Sequence, residues 1–411
     1  MTLTSEEAQT AIVAATTVLK ESVDAGMYIG KDCIPAIGVF VQFGLAVRSY
    51  ITYTEPGDKD PVLKLIEELT QKLGTIEDKM KNSFDVLKAF ISQYSFYNDV
   101  PIVGHVLSKS LHDATLAGTE AGREEFRKKY DQYRPLEYAM RLNHQLSKAT
   151  TNPLKMLMAA DPVNGKLTFE TWKNIYESVM TQLCSIEATA SSYINEGNEY
   201  RKEKILLEDK KFKKMIKGWH DDYKTDDHYW PDSVRVMVEE FQDKNQTMGS
   251  AEKARLIREK LDNILTLDIL TVVVFNEKKF EYYPDHSSQL IVSPDRGNCT
   301  VFVYRSLNAV DAPAEVEKFK NSVKAQSKKL LEYEREKDFI LRDDLRSKTT
   351  LLRESGLVLA VKGTDVAVEA TRHSLFPDGV GEHFTGKMTC KNPHHHNPSP
   401  EMPYFLFSAY K

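Results

Sequence analysis

A chain of 411 residues has room for about two domains, each long enough to bury its own core. With 41% hydrophobic and 28% charged residues, its composition is that of a globular protein and excludes wholesale disorder. The formal net charge of -5 gives no global attraction to nucleic acid, which is not expected as a partner.

Cys33, Cys184, Cys299 and Cys390 lie far apart and form no CxxC pair, so neither a zinc framework nor a disulfide scaffold is expected. The first residues carry no basic segment followed by an apolar core, so no signal peptide is expected and the default compartment is the cytoplasm. A secreted chain with its leader trimmed would read the same way. The sequons at Asn245 and Asn298 matter only in that second case.

In chain order, Thr4, Ser5, Glu6 and Glu7 form a helix-start signal, and Ile12, Val13, Val18, Leu19 and Val23 follow at helical spacing. Next comes the most apolar segment, which includes Ile34, Pro35, Ile37, Val39, Phe40, Val41, Phe43 and Leu45. It is a run of about 15 uncharged residues, short of the roughly 20 that a stable membrane-spanning helix needs. It reads as a buried core helix or, under some trigger, a membrane-inserting one. After a turn ending at Pro61, Leu63, Ile66, Leu69, Leu73, Ile76, Met80, Phe84 and Leu87 recur at spacings of three and four. They make a narrow apolar stripe, either one arm of a helical hairpin or a coiled-coil seam, that would shield the apolar segment.

A break at Asp99 to Pro101 precedes further helical patterns at 120–133, 135–147 and 169–193, a charged stretch at 201–217, and helices at 232–243 and 251–265. The period then changes. Short β-rich runs at 271–275, 279–283, 289–292 and 300–304 read as an antiparallel meander. A charged helix is expected over 314–354, and strand character returns at 356–361, 365–368 and 404–407. The fold class is therefore α+β: a bundle of long helices over 1–265 and a smaller antiparallel β-containing domain over 266–411.

No phosphate-binding loop, dinucleotide fingerprint, HExxH or nucleophile elbow is present, so an enzyme is not expected. Between Trp219 and Trp230, the residues His220, Asp222, Asp226 and His228 offer imidazole and carboxylate ligands suited to a divalent metal, although polar connections between helices often have this composition. His394, His395 and His396 between prolines read as an exposed tract. No cofactor is implied.

One resemblance adds to this reading. The order of a helix, an apolar segment containing Gly and Pro, the turn from Pro56 to Pro61 and the amphipathic run from Leu63 to Lys72 resembles the helical pore-forming domain of the insecticidal crystal toxins. Rapunzel-like animal proteins look similar in outline. The likeness covers about the first half of the chain. The β-containing remainder is too short to hold the two further domains of a crystal toxin. The resemblance implies a non-enzymatic bundle able to rearrange, self-associate and meet a lipid membrane. The alternative is a cytosolic scaffold that binds partner proteins through its long helices and C-terminal sheet.

Overall fold

The computed structural model describes residues 4–24, 33–53, 71, 95–148, 152–194, 199–276, 280–283, 288–306, 331–332, 340–341, 357–363, 365–371, 381–389 and 401–409. The expected shielding stripe at 63–87 lies outside these residues. The fold is α+β, with helices first and antiparallel strands after. The chain divides into two compact units, one of 1–160 with 168–221 and the other of 161–167 with 222–411.

In the first unit, α1 (Ser5–Asp24) packs against α2 (Cys33–Tyr53) and buries Ala8, Ile12 and Ala15 at the expected spacing. Thr4 opens α1 with a reciprocal cap: its hydroxyl accepts from Glu7 N–H at 3.3 Å while Glu7 Oε2 accepts from Thr4 N–H at 2.8 Å. Pro35 falls in the first turn of α2, where its missing N–H costs no helical bond. The expected break at Asp99 to Pro101 is absent, because α3 (Ser95–Ala117) runs through it. Its later turns are anchored by the buried Val103, Leu107 and Leu111. Next come α4 (Glu120–Tyr133) and α5 (Pro135–Leu146), joined at Arg134, whose left-handed φ of 39° ends one helix before Pro135 begins the other. The short α6 (Pro153–Ala160) precedes the long α7 (Gly165–Ile194) and α8 (Glu199–Thr225).

The second unit holds α9 (Asp232–Lys244), α10 (Ser250–Leu261) and the strands. These are β1 (Ile269–Phe275), β2 (Phe280–Tyr283), β3 (Leu290–Arg296), β4 (Cys299–Ser306), β5 (Leu331–Glu332), β6 (Ile340–Leu341), β7 (Leu357–Lys362), β8 (Val366–Ala370), β9 (Gly381–Thr389) and β10 (Glu401–Ala409). Two four-stranded antiparallel sheets form, in the orders β3-β4-β1-β8 and β2-β7-β10-β9.

β1 explains the layering. All its residues are buried, and its period-two alternation feeds two separate cores. Ile269, Val273 and Phe275 meet Leu357, Leu359, Val361, Phe405 and Phe407 of the other sheet. Leu270, Val272 and Val274 meet Val234, Val238 and Phe241 of α9 and Ala254, Ile257 and Leu261 of α10. A strand covered on both faces reads as an unbroken apolar run, as this one does.

Three expectations change here. The first four β-runs are not a meander: β1 pairs with β4 and β8, while β2 joins the other sheet beside β7. Strand order is set by which apolar faces meet, and of the sequence neighbours among these four runs only β3 and β4 pair. The helix expected to be continuous over 314–354 contains instead an antiparallel pair, with Leu331 opposite Leu341 and Glu332 opposite Ile340. The apolar side chains of Leu331, Ile340 and Leu341 suit a ladder as well as a helix. The helices α9 and α10, grouped with the bundle in the division at 265, lie with the sheets because their apolar stripes cover the outer face of β1 and β4.

Candidate functional site

The most unusual element of the first unit is α7. Every residue from Val179 to Tyr193 is buried, over about four turns, so this stretch is enclosed on all sides. Its neighbours are identifiable. A Cβ added to Gly44 of α2 would stand 2.4 Å from Thr189 O and 2.8 Å from Ser192 Cβ, so α2 lies directly on α7. One added to Gly104 of α3 would stand 2.3 Å from Gln182 Nε2. Phe126 of α4 meets Tyr193 edge-on at 5.2 Å. The N-terminus of α5 and the start of α8 reach Glu187.

A helix enclosed in this way is ordinarily apolar all round. This one buries Thr181, Gln182, Ser185, Glu187, Thr189, Ser191 and Ser192. Small residues such as Ala188, Ala190 and Ser192 admit close neighbours, and the hydroxyls and amide bring polarity into the centre. Some of that polarity is satisfied. Glu187 accepts from Tyr130 Oη at 2.5 Å, Arg201 Nη1 at 3.1 Å and Leu136 N–H at 3.2 Å. Burial pushes its carboxyl up to about 7; the Leu136 N–H pulls it down and nearby Glu137 pushes it further up. Elsewhere the polarity is unmatched. Among the described residues, both amide atoms of Gln182, the Thr181 hydroxyl and the Ser108 hydroxyl of α3 have no hydrogen-bond partner. Burying a polar side chain without a partner costs about 1–3 kcal/mol.

The apolar segment singled out in the sequence forms the first part of α2. Phe40, Phe43 and Leu45 are buried, Val39 and Val41 are half-buried, and Gln42 is exposed. Ile34, Pro35 and Ile37 lie in the same helix. Among the described residues, no helix is long and apolar enough to cross a membrane.

Of the four metal-ligand candidates, the structure brings Asp226 and His228 together and adds Asp227, with ligand atoms within 4.8 Å of one another. His228 Nδ1 is 2.7 Å from Asp226 Oδ1, and the group is open to solvent. His220 lies against the Phe169 ring at 5.2 Å, and the Asp222 carbonyl accepts from the Thr225 hydroxyl at 2.9 Å. An imidazole and two carboxylates could hold a divalent ion weakly, but exposed acidic groups of this kind commonly hold none.

Residues 64–395 match the family of proteins of unknown function DUF684. The chain belongs to that family. The match takes in α7, the α9 and α10 helices and most of both sheets, so the enclosed helix of this DUF684 chain falls inside the matched region. No curated protein and no solved structure matches it.

Sequence reasoning identified 169–193 as helical without assigning it the central place. The signal was available: from Val179 to Tyr193 the only charged residue is Glu187, and the rest are small, hydroxylic or apolar. A surface helix would carry more charge.

Proposed function

We propose that this protein is a non-catalytic helical-bundle protein that acts by opening its first unit, self-associating and engaging a lipid membrane from the cytoplasm. The observation that carries the reading is the polar, fully enclosed stretch of α7. A permanent core gains nothing from Gln182 and Thr181 side chains that have no partner among the described residues, whereas a helix that later meets water or partner helices can satisfy them there. The apolar face of α2, held against α7 at Gly44, is the surface that such an opening would release. Burial in the bundle and burial in lipid remove similar apolar area from water, at roughly 25 cal/mol per Å². The polar interior then tips the balance towards rearrangement. The resemblance to helical pore-forming domains points the same way. Engagement would use several helices together instead of one spanning segment.

The test is dye release from liposomes at neutral and acidic pH, with the mass in solution followed by light scattering. Release accompanied by growth in mass supports the reading. A constant mass with no release defeats it and favours a scaffold that binds protein partners through its helices.

A further inference from the structure

The second unit holds a contact that the proposed function does not use. Lys253 of α10 is 1% exposed and Cys299 of β4 is 2% exposed, and Lys253 Nζ lies 3.4 Å from Cys299 Sγ. A buried lysine is unusual, and this one is held in place. Its Nζ donates to Gly297 O at 2.7 Å and to Gln246 O at 3.4 Å. The sulfur is fixed as well, with Gln242 Nε2 at 3.6 Å and Arg296 O at 3.5 Å. Gln242 also donates to Arg296 O at 3.0 Å and Cys299 O at 3.1 Å, so the turn between β3 and β4 is tied to α9. Gly297, with φ 56°, lets that turn approach closely, since a Cβ there would stand 2.2 Å from Gln242 O. Asp295 and Asn298 of the same turn are exposed, so the amine and thiol lie just beneath the surface, within reach of small oxidants.

We propose that Lys253 and Cys299 form an oxidative modification site, at which dioxygen joins the two side chains through one oxygen atom as an S–O–N bridge. In the balanced step, a thiol, an amine and one O₂ give the bridge and one water. The S–H bond and one N–H bond break, the O–O bond breaks, and S–O and O–N bonds form. The second oxygen leaves as water with the two hydrogens, and the extra proton of the ammonium passes to solvent. Sulfur and nitrogen each lose two electrons, and dioxygen takes up all four. The two atoms already touch, so one inserted oxygen needs only a small rotation of the lysine stem. The bridge would staple α10 to the β3–β4 turn, and two equivalents of a dithiol would reverse it, together returning four electrons and four protons and releasing the bridging oxygen as water.

The experiment uses the full chain, purified without reductant and exposed to air, then digested and mapped by mass with and without dithiothreitol. The expected product is a cross-linked pair of peptides carrying residues 253 and 299, about 14 Da heavier than their sum and separated again by the dithiol. Amide exchange in the β3–β4 hairpin should slow several-fold in the linked form. Cys299→Ser and Lys253→Met abolish the product, and Cys184→Ser leaves it. Should Lys253→Met fail to fold, the map of the unaltered chain decides alone. Separate peptides after exposure, with Cys299 unmodified or carrying only added oxygen, overturn the proposal.

Discussion

Gly44→Ala tests whether α2 lies directly on the enclosed helix. The new methyl group would stand 2.4 Å from Thr189 O, 3.1 Å from Thr189 C and 2.8 Å from Ser192 Cβ. Two of these are backbone atoms of α7, so no rotamer change relieves them. The helices must instead separate by about 1 Å, which loses dispersion along the contact. Overpacking of this kind costs about 1–3 kcal/mol, partly offset by the roughly 1 kcal/mol that alanine gains over glycine within a helix. The expected net effect is a loss of about 0–2 kcal/mol, or at most about 4–8 °C in Tm for a domain of this size. Gly218→Ala is the internal control. It lies in α8, is exposed, and its added Cβ meets nothing within 4 Å, so only the gain remains. Urea denaturation of both variants, followed by far-ultraviolet circular dichroism, gives the comparison. Equal stabilisation by the two substitutions would refute the close approach of α2 to α7.

Three further outcomes follow from the same structure. The Glu187 carboxyl is raised to about 7 from an unfolded value near 4.5, so the folded state holds the proton that the unfolded state has lost between those limits. Stability contributed by this group is therefore greatest in acid and falls as pH rises to about 7, by at most about 3 kcal/mol; urea midpoints across pH 5–8 should show that slope, and Glu187→Gln should flatten it. Gln182→Met removes a buried amide that has no partner among the described residues, and should raise stability by about 1–2 kcal/mol while lowering liposome dye release; unchanged release would separate the polar interior from function. Gln242→Ala strips donors from the carbonyls of Arg296 and Cys299 and should cost about 2–4 kcal/mol, visible as faster amide exchange in the β3–β4 hairpin.

Much of the local structure was legible because it depends on local chemistry. The Thr4 cap, the 3.6-residue stripes of α9 and α10 and the β-branched run of β1 each carry their own signal. What was not legible depends on partners distant in sequence. Val272 and Val273 read alike, yet one faces helices and the other faces the second sheet. Val234, Val238 and Phe241 announce an apolar face but not that a sheet covers it. Alternating charge over 314–354 imitates a solvated helix, although Leu331 and Leu341 pair across a ladder. At the candidate site, the apolar residues Phe40, Phe43 and Leu45 drew attention because burial of apolar groups is easily read. The central position of α7 was harder to see, since Thr181, Gln182, Ser185 and Ser192 are residue types that usually face water.

The most direct test of the central claim, that the polar interior of α7 is released when the bundle opens, is thiol labelling at Cys184. This buried side chain lies between Gln182 and Ser185 on the enclosed stretch. In a chain carrying Cys33→Ser, Cys299→Ser and Cys390→Ser, the rate of maleimide attachment is measured with and without liposomes. Slow labelling in solution and at least tenfold faster labelling on liposomes, in step with dye release, is the predicted result; a tenfold change corresponds to about 1.4 kcal/mol in the opening equilibrium. Equal protection in both conditions would show that α7 stays enclosed and would contradict the account.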